Sequence, residues 1–106
     1  MIQDTHKYPT TRTICVDVDG TLICRGEINA RLVEWCRQRK ADGFVLMLWS
    51  ARGQQYAASI AERHGVTDVF DHIISKPGYV VDDMGLGWTK YIKTVLPSAC
   101  TPFEKC

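Results

Sequence analysis

Thr13-Ile14-Cys15-Val16-Asp17-Val18-Asp19-Gly20-Thr21-Leu22 sets the reading of the whole chain. Its first six residues are a β-branched, apolar run of the kind that forms a buried strand. Two carboxylates one residue apart then meet a glycine turn. Like charges so close disfavour joint ionisation, and a hard, oxygen-seeking cation such as Mg²⁺ relieves that cost while keeping waters and a phosphate as further ligands. The plainer alternative is a solvated acidic turn, because Asp and Gly are ordinary turn residues.

Working outward, residues 1–10 read as a polar lead-in that contains Pro9. Gly20 and Gly26 bracket a segment too short for a helix, which predicts a loop or small hairpin. Asn29 suits the N-cap of a helix running to about Lys40. In it Leu32, Trp35, Cys36 and Arg39 share one face, and Gly43 lies just past the end. Phe44–Trp49 is apolar without alternation, as expected of a strand covered on both faces. A second helix follows from about Gln54 to His64, with Tyr56, Ala57, Ile60 and Ala61 facing inward. Val69–Ile74 is another short apolar segment, ending at Ser75-Lys76-Pro77. Tyr79-Val80-Val81 reads as a last strand running into Asp82-Asp83, and Trp88–Leu96 as a final amphipathic helix before Pro97. No repeat or linker divides the chain. Strands alternating with helices predict one α/β domain over residues 1–106, a three-layer, Rossmann-like parallel sheet with helices on both faces. Ligands of such sheets collect at the carboxyl ends of the strands.

Composition narrows the partners. The 13 Lys+Arg against 12 Asp+Glu leave a net charge of +1, too little excess for coating long nucleic acid. The longest apolar run, Phe44–Trp49, is far short of a membrane span, and residues 1–7 lack the apolar core of an export signal. The expectation is a cytoplasmic protein. Cysteines 15, 24, 36, 100 and 106 form no CxxC pair, so a closed zinc site is not expected. They read as reduced, structural thiols, with Cys100 and Cys106 the most open to oxidation.

Each expected strand stops at a polar residue: Asp17 and Asp19, then Ser50, then Lys76, then Asp82-Asp83. Taken together, these ends resemble the haloacid dehalogenase (HAD) superfamily. Asp17-Val18-Asp19-Gly20-Thr21-Leu22 is similar to its first motif and Leu48-Trp49-Ser50-Ala51-Arg52 to its second. Ser75-Lys76-Pro77 is similar to the third and Val80-Val81-Asp82-Asp83 to the fourth. All four occur in the family's order, across residues 13–84. The first is specific, and the other three persuade only in company.

The resemblance implies a Mg²⁺-dependent phosphatase working through an aspartyl-phosphate. Asp17 is then the nucleophile. Asp19 protonates the leaving oxygen and afterwards activates water. Mg²⁺ is held by the Asp17 carboxylate, the Asp19 carbonyl and Asp83, with Asp82 as an outer or alternative ligand. Ser50 and backbone N–H groups beside it, at Ala51 and Arg52, bind phosphate oxygens. Lys76 neutralises nucleophile and phosphoryl charge. Each residue has an ordinary competitor: Ser50 as a helix cap, Lys76 and Arg52 as solvated charges. His6, His64 and His72 have no metal-ligand spacing, Trp35 and Trp49 read as core, and Trp88 is a candidate for the site's border.

One departure from the family is informative. Neither Thr21–Gly43 nor Gln54–Ser75 has room for a cap domain, so the site is expected to be open unless a second copy of the chain closes it. The substrate is then a phosphomonoester whose leaving group stays unspecified: a small molecule, a nucleic-acid end or a phosphoprotein. The competing class is a non-catalytic domain that keeps the fold and binds a phosphate ligand.

Overall fold

A computed structural model describes residues 10–97. Among these described residues five strands and two α-helices are laid down in the order β1 (Thr13–Asp17), β2 (Ile23–Cys24), β3 (Glu27–Ile28), α1 (Ala30–Ala41), β4 (Val45–Ser50), α2 (Gln54–Arg63) and β5 (His72–Ser75). Short 3₁₀ turns cover Thr67–Val69 and Gly85–Tyr91. The result is a mixed α/β fold around a three-stranded parallel sheet of order β1-β4-β5.

The helices form where local signals call for them. Asn29 caps α1, its side-chain oxygen accepting from the Leu32 amide at 3.1 Å. Arg39 and Lys40 occupy the last turn, where positive charge complements the helix dipole. Leu32 and Cys36 are buried on the inward face of α1, and Ala57, Ile60 and Ala61 on that of α2. The expected hairpin is the antiparallel β2–β3 pair, Ile23 opposite Ile28.

Alternation along β4 corrects one expectation. Leu46, Leu48 and Ser50 are buried while Val45, Met47 and Trp49 are not. Across the register, Ile14 and Val16 of β1 and Ile73 of β5 share the Leu46–Leu48 face. That face packs with Leu32, Cys36, Ala57, Ile60 and Ala61 into one core. Two successive crossovers in the same direction put both helices on one face of the sheet. The sheet is therefore not flanked by α-helices on both faces among the described residues, and β4 fully buries only its Leu46, Leu48 and Ser50 face. Salt bridges and hydrogen bonds tie the end of α1 to the chain entering β5: Arg37 to Asp68 at 2.7 Å, and Lys40 to the Asp68 carbonyl at 2.8 Å.

Beyond β5 the sequence reading fails in two places. Tyr79–Val81 is not a strand, and Tyr79 and Val81 are fully exposed. A strand is stable only through a ladder partner, and this one has none among the described residues. Trp88–Leu96 is not an α-helix. The 3₁₀ turn that ends at Tyr91 starts from Gly85 and contains Gly87, both poor helix formers. Cys15 and Cys36 are not in disulfides, in line with reduced thiols, whereas Cys24 takes part in a disulfide and departs from that reading. The lead-in through residue 9, His6, Cys100 and Cys106 lie outside the described residues. Among the described residues no helix is long and apolar enough to cross a membrane.

Candidate functional site

The parallel register aligns the polar strand ends. Asp17 stands opposite Trp49 on β4, which stands opposite Ile74 on β5. One step further on, Ser50 faces Ser75. Neighbouring strands lie about 4.8 Å apart, so Asp17, Ser50, Ser75 and the adjoining Lys76 share one edge of a small sheet.

Beyond Asp17 the backbone folds back at once. Leu22 donates to the Asp17 carbonyl at 3.2 Å, Ile23 to the Val18 carbonyl at 2.9 Å, and Gly20 to the Ile23 carbonyl at 2.9 Å. Gly20 sits at φ +79°, a left-handed geometry that side chains with a Cβ rarely adopt. The turn holds Asp19 out at the sheet end, where it is exposed.

Asp19 is held by two residues of the next crossover. The Tyr56 hydroxyl donates to Asp19 Oδ1 at 2.7 Å. The Arg52 guanidinium lies 3.6 Å from the same oxygen and stacks over the Tyr56 ring, 3.8 Å from its centroid. Donation to a carboxylate holds the Tyr56 phenol above its ordinary pKa, because ionisation would forfeit the bond. Sequence reading assigned Tyr56 to the inward face of α2. Its ring is only partly buried, and its hydroxyl reaches the acidic turn. The signal was in the spacing: Tyr56 lies in the first turn of α2, beside the strand ends.

Ser50 is buried, and its Oγ accepts from the Arg52 amide at 3.0 Å. That leaves the hydroxyl proton to donate elsewhere. It does not cap α2, whose N-cap is Gly53. Ser75, a residue that sequence reading gave no role, meets that need instead, its Oγ accepting from the Gln54 amide at 2.9 Å. A helix that starts on glycine has no side-chain oxygen of its own, and this need points to an acceptor on a neighbouring strand. Lys76 is anchored by its amide to the Ser50 carbonyl at 2.9 Å, and its ammonium sits 5.8 Å from the Trp49 ring centroid. Trp49 is the register partner of Asp17, so Lys76 is turned toward the Asp17 side of the sheet. Trp49 is half-buried and outside the core, contrary to its reading as core, whereas Trp35 packs against the core as expected.

The acidic pair is not gathered with the others. Asp82 and Asp83 are exposed, and Asp82 Oδ1 accepts from the Met84 amide at 2.8 Å in a local turn. Among the described residues no group of three or more His, Cys, Asp or Glu side chains is placed to hold a metal ion. The donors at the end of β1 still suit a hard cation: an ungathered Asp17 carboxylate and the Asp19 carbonyl, both oxygens. A cavity of about 1350 Å³ runs along the outer edge of β1 and joins Asp17 and Thr21 to Met84, Trp88 and Tyr91. Trp88, read from the sequence as a candidate for the site's border, thus lines the same cavity as Asp17.

No family model matches the chain, and no match was found among curated proteins or solved structures.

Proposed function

We propose that the chain is a capless phosphatase of the HAD type, hydrolysing phosphomonoesters through an aspartyl-phosphate on Asp17. One observation carries the reading: Asp17, Ser50 and Ser75-Lys76 end three consecutive parallel strands at the same edge. The carboxyl edge of a parallel sheet is where such folds bind ligands. The order of Asp17-Val18-Asp19-Gly20-Thr21, Ser50, Lys76 and Asp82-Asp83 along the chain adds to it.

In this reading an Asp17 oxygen attacks phosphorus, and the bond to the leaving oxygen breaks as Asp19 protonates it. Asp19 then removes a proton from water, whose oxygen displaces Asp17. The Ser50 hydroxyl and the Arg52 side chain bind phosphoryl oxygens. Lys76 offsets the charge gathered around Asp17. Asp17, the Asp19 carbonyl and Asp83 would hold Mg²⁺, which supplies Lewis-acid neutralisation of the phosphoryl oxygens.

The test is a broad phosphomonoester screen with Mg²⁺ supplied or chelated. Mg²⁺-dependent release of phosphate is the expected result, and turnover of no phosphomonoester under any metal condition refutes the reading. One observation favours a second reading, a phosphate-binding domain without catalysis: the exposed Asp82-Asp83 pair stands apart from the β1 end. That reading predicts calorimetric binding of a phosphate ester with no phosphate released.

A further inference from the structure

Asp19 makes an asymmetric set of contacts. Both polar neighbours address the same oxygen, Oδ1: the Tyr56 hydroxyl at 2.7 Å and the Arg52 guanidinium at 3.6 Å. Among the described residues Oδ2 accepts no hydrogen bond and joins no ion pair, and Asp19 is exposed. The two neighbours also touch each other, the Arg52 guanidinium carbon lying 3.8 Å from the Tyr56 ring centroid. Their backbones come from adjacent positions of one structural unit. Arg52 follows the Ser50 turn, held by its amide on Ser50 Oγ, and Tyr56 lies in the first turn of α2.

A carboxyl group acting as acid and then as base must present one oxygen to the reacting atoms in a fixed direction. An exposed aspartate at the end of a turn has a freely rotating carboxylate, and a single strong donor on one oxygen removes that freedom. We infer that Tyr56 is a positioning residue for Asp19, holding Oδ1 so that Oδ2 is the oxygen that gives and takes the proton, while Arg52 is kept stacked beside it until a phosphoryl oxygen draws it away. This inference rests on the phosphatase reading and assigns within it Tyr56, which the strand-end pattern did not. In the first step the Oδ2 proton passes to the leaving oxygen, which keeps the electron pair of the broken P–O bond as Asp17 bonds to phosphorus. In the second, Oδ2 takes a proton from water as the water oxygen bonds to phosphorus and the Asp17–phosphorus bond breaks.

The Arg52–Asp19 contact is between two well-exposed groups, an arrangement worth little on its own, so the guanidinium can change partner readily. The Tyr56 hydrogen bond does not compete with substrate, because a phenol at neutral pH seeks an acceptor and Asp19 supplies it. The two residues therefore affect different kinetic constants.

The decisive measurement compares Tyr56→Phe with the parent protein on two substrates, an activated aryl phosphate and an unactivated alkyl phosphate. Phenylalanine keeps the ring and its stacking with Arg52 and deletes only the hydroxyl. Loss of a hydrogen bond to a charged group is worth roughly tenfold. The alkyl ester, whose leaving oxygen needs the proton, should lose about that factor in kcat with KM unchanged. The aryl ester should lose distinctly less in its first step. In an Asp19→Asn background, Tyr56→Phe should add nothing, since the carboxylate it orients is already gone. Arg52→Gln should instead raise KM. The Tyr56 ring resonances, identified by their absence in Tyr56→Phe, should shift in Asp19→Asn without any substrate present. Equal losses on both esters in the step that releases the leaving group, additive losses in the double variant, or Tyr56 resonances indifferent to Asp19 would each overturn the inference while leaving a working phosphatase. A parent protein that hydrolyses neither ester, nor any other phosphomonoester, removes the reading underneath it, and the two failures are told apart by that single control.

Discussion

Residues 13–76 and residues 77–97 behave as different materials. In the first region strand ends and helix starts are fixed by specific hydrogen bonds. Asn29 caps α1, Ser75 caps α2, and Lys76 is bonded to the last residue of β4. In the second, Tyr79 and Val81 are fully exposed, and the hydrogen bonds of Asp82 and Thr89 reach no further than three residues. Both regions carry apolar, β-branched sequence. The first region can pair that sequence because a crossover helix returns each strand to its neighbour. Hydrophobic pattern supplies a reason to be buried, and a partner at the right distance decides whether burial happens.

The strongest way to break the comparison is to ask whether the chemistry lies wholly in the first region. On the proposed mechanism Asp17→Asn abolishes phosphate release and forms no phosphoenzyme even in a single turnover, which intact-mass analysis reads directly. Asp19→Asn lowers the rate by about 10²–10⁴-fold. With an activated aryl phosphate it accumulates one phosphoryl group on Asp17. That group on Ser50 instead would reassign the nucleophile.

Chelation probes the second region. EDTA should abolish turnover and Mg²⁺ should restore it, with Ca²⁺, larger and looser in its geometry, a poor substitute. Asp83→Asn should raise the Mg²⁺ needed for half-maximal rate more than Asp82→Asn, because the Asp82 carboxylate is already engaged by the Met84 amide. Identical metal dependence in all three proteins would confine the metal site to the end of β1.

Stability sharpens the contrast further. Leu48 is completely buried in the one-sided core, and Leu48→Ala should cost about 2–5 kcal/mol in chemical denaturation. Val81→Ala, at a fully exposed position, should stay within about 0.5 kcal/mol. A cost for Val81→Ala near that of Leu48→Ala would show the second region packed in solution.

The smallest effect expected is on acid stability. The Leu46 amide donates to Asp71 Oδ2 at 2.9 Å, and Lys40 lies 3.5 Å from Oδ1. The hydrogen bond first, and the ammonium after it, hold the Asp71 carboxyl below its ordinary pKa. A carboxyl lowered by folding stabilises above its unfolded pKa, about 3.9, and that contribution disappears as pH falls through the lower folded value. Asp71→Asn should therefore lower the melting temperature at neutral pH and close the gap to the parent in strongly acidic buffer.

The residues most legible in sequence were those whose reason is local. Asn29 announces α1 because an N-cap acts within three residues, and Gly20 announces its turn because only the backbone is at stake. The strand ends Asp17 and Ser50 were legible too, since a polar residue closing an apolar run marks the end of a strand. Ser75 and Tyr56 were not, because each acts on a partner 21 or 37 residues away, and no periodicity within its own element reports that distance. Tyr79–Val81 misled for the converse reason. Its composition is that of a strand, but a ladder is a property of two segments. The one-sided burial of β4 was hidden in the same way, because Met47 and Trp49 are as apolar as the buried Leu46 and Leu48.

The place of β1 in the sheet has one more consequence. Among the described residues it is an outermost strand and also the strand that delivers Asp17, so the side it does not share with β4 offers a template on which another extended chain can lie. A chain that adds there comes to rest beside the carboxylate. Concentrating the protein should therefore silence it and thicken it together, with specific activity falling as light scattering rises. Dilution should return both, and a lysine placed on the outer strand at Thr13 should make the activity independent of concentration.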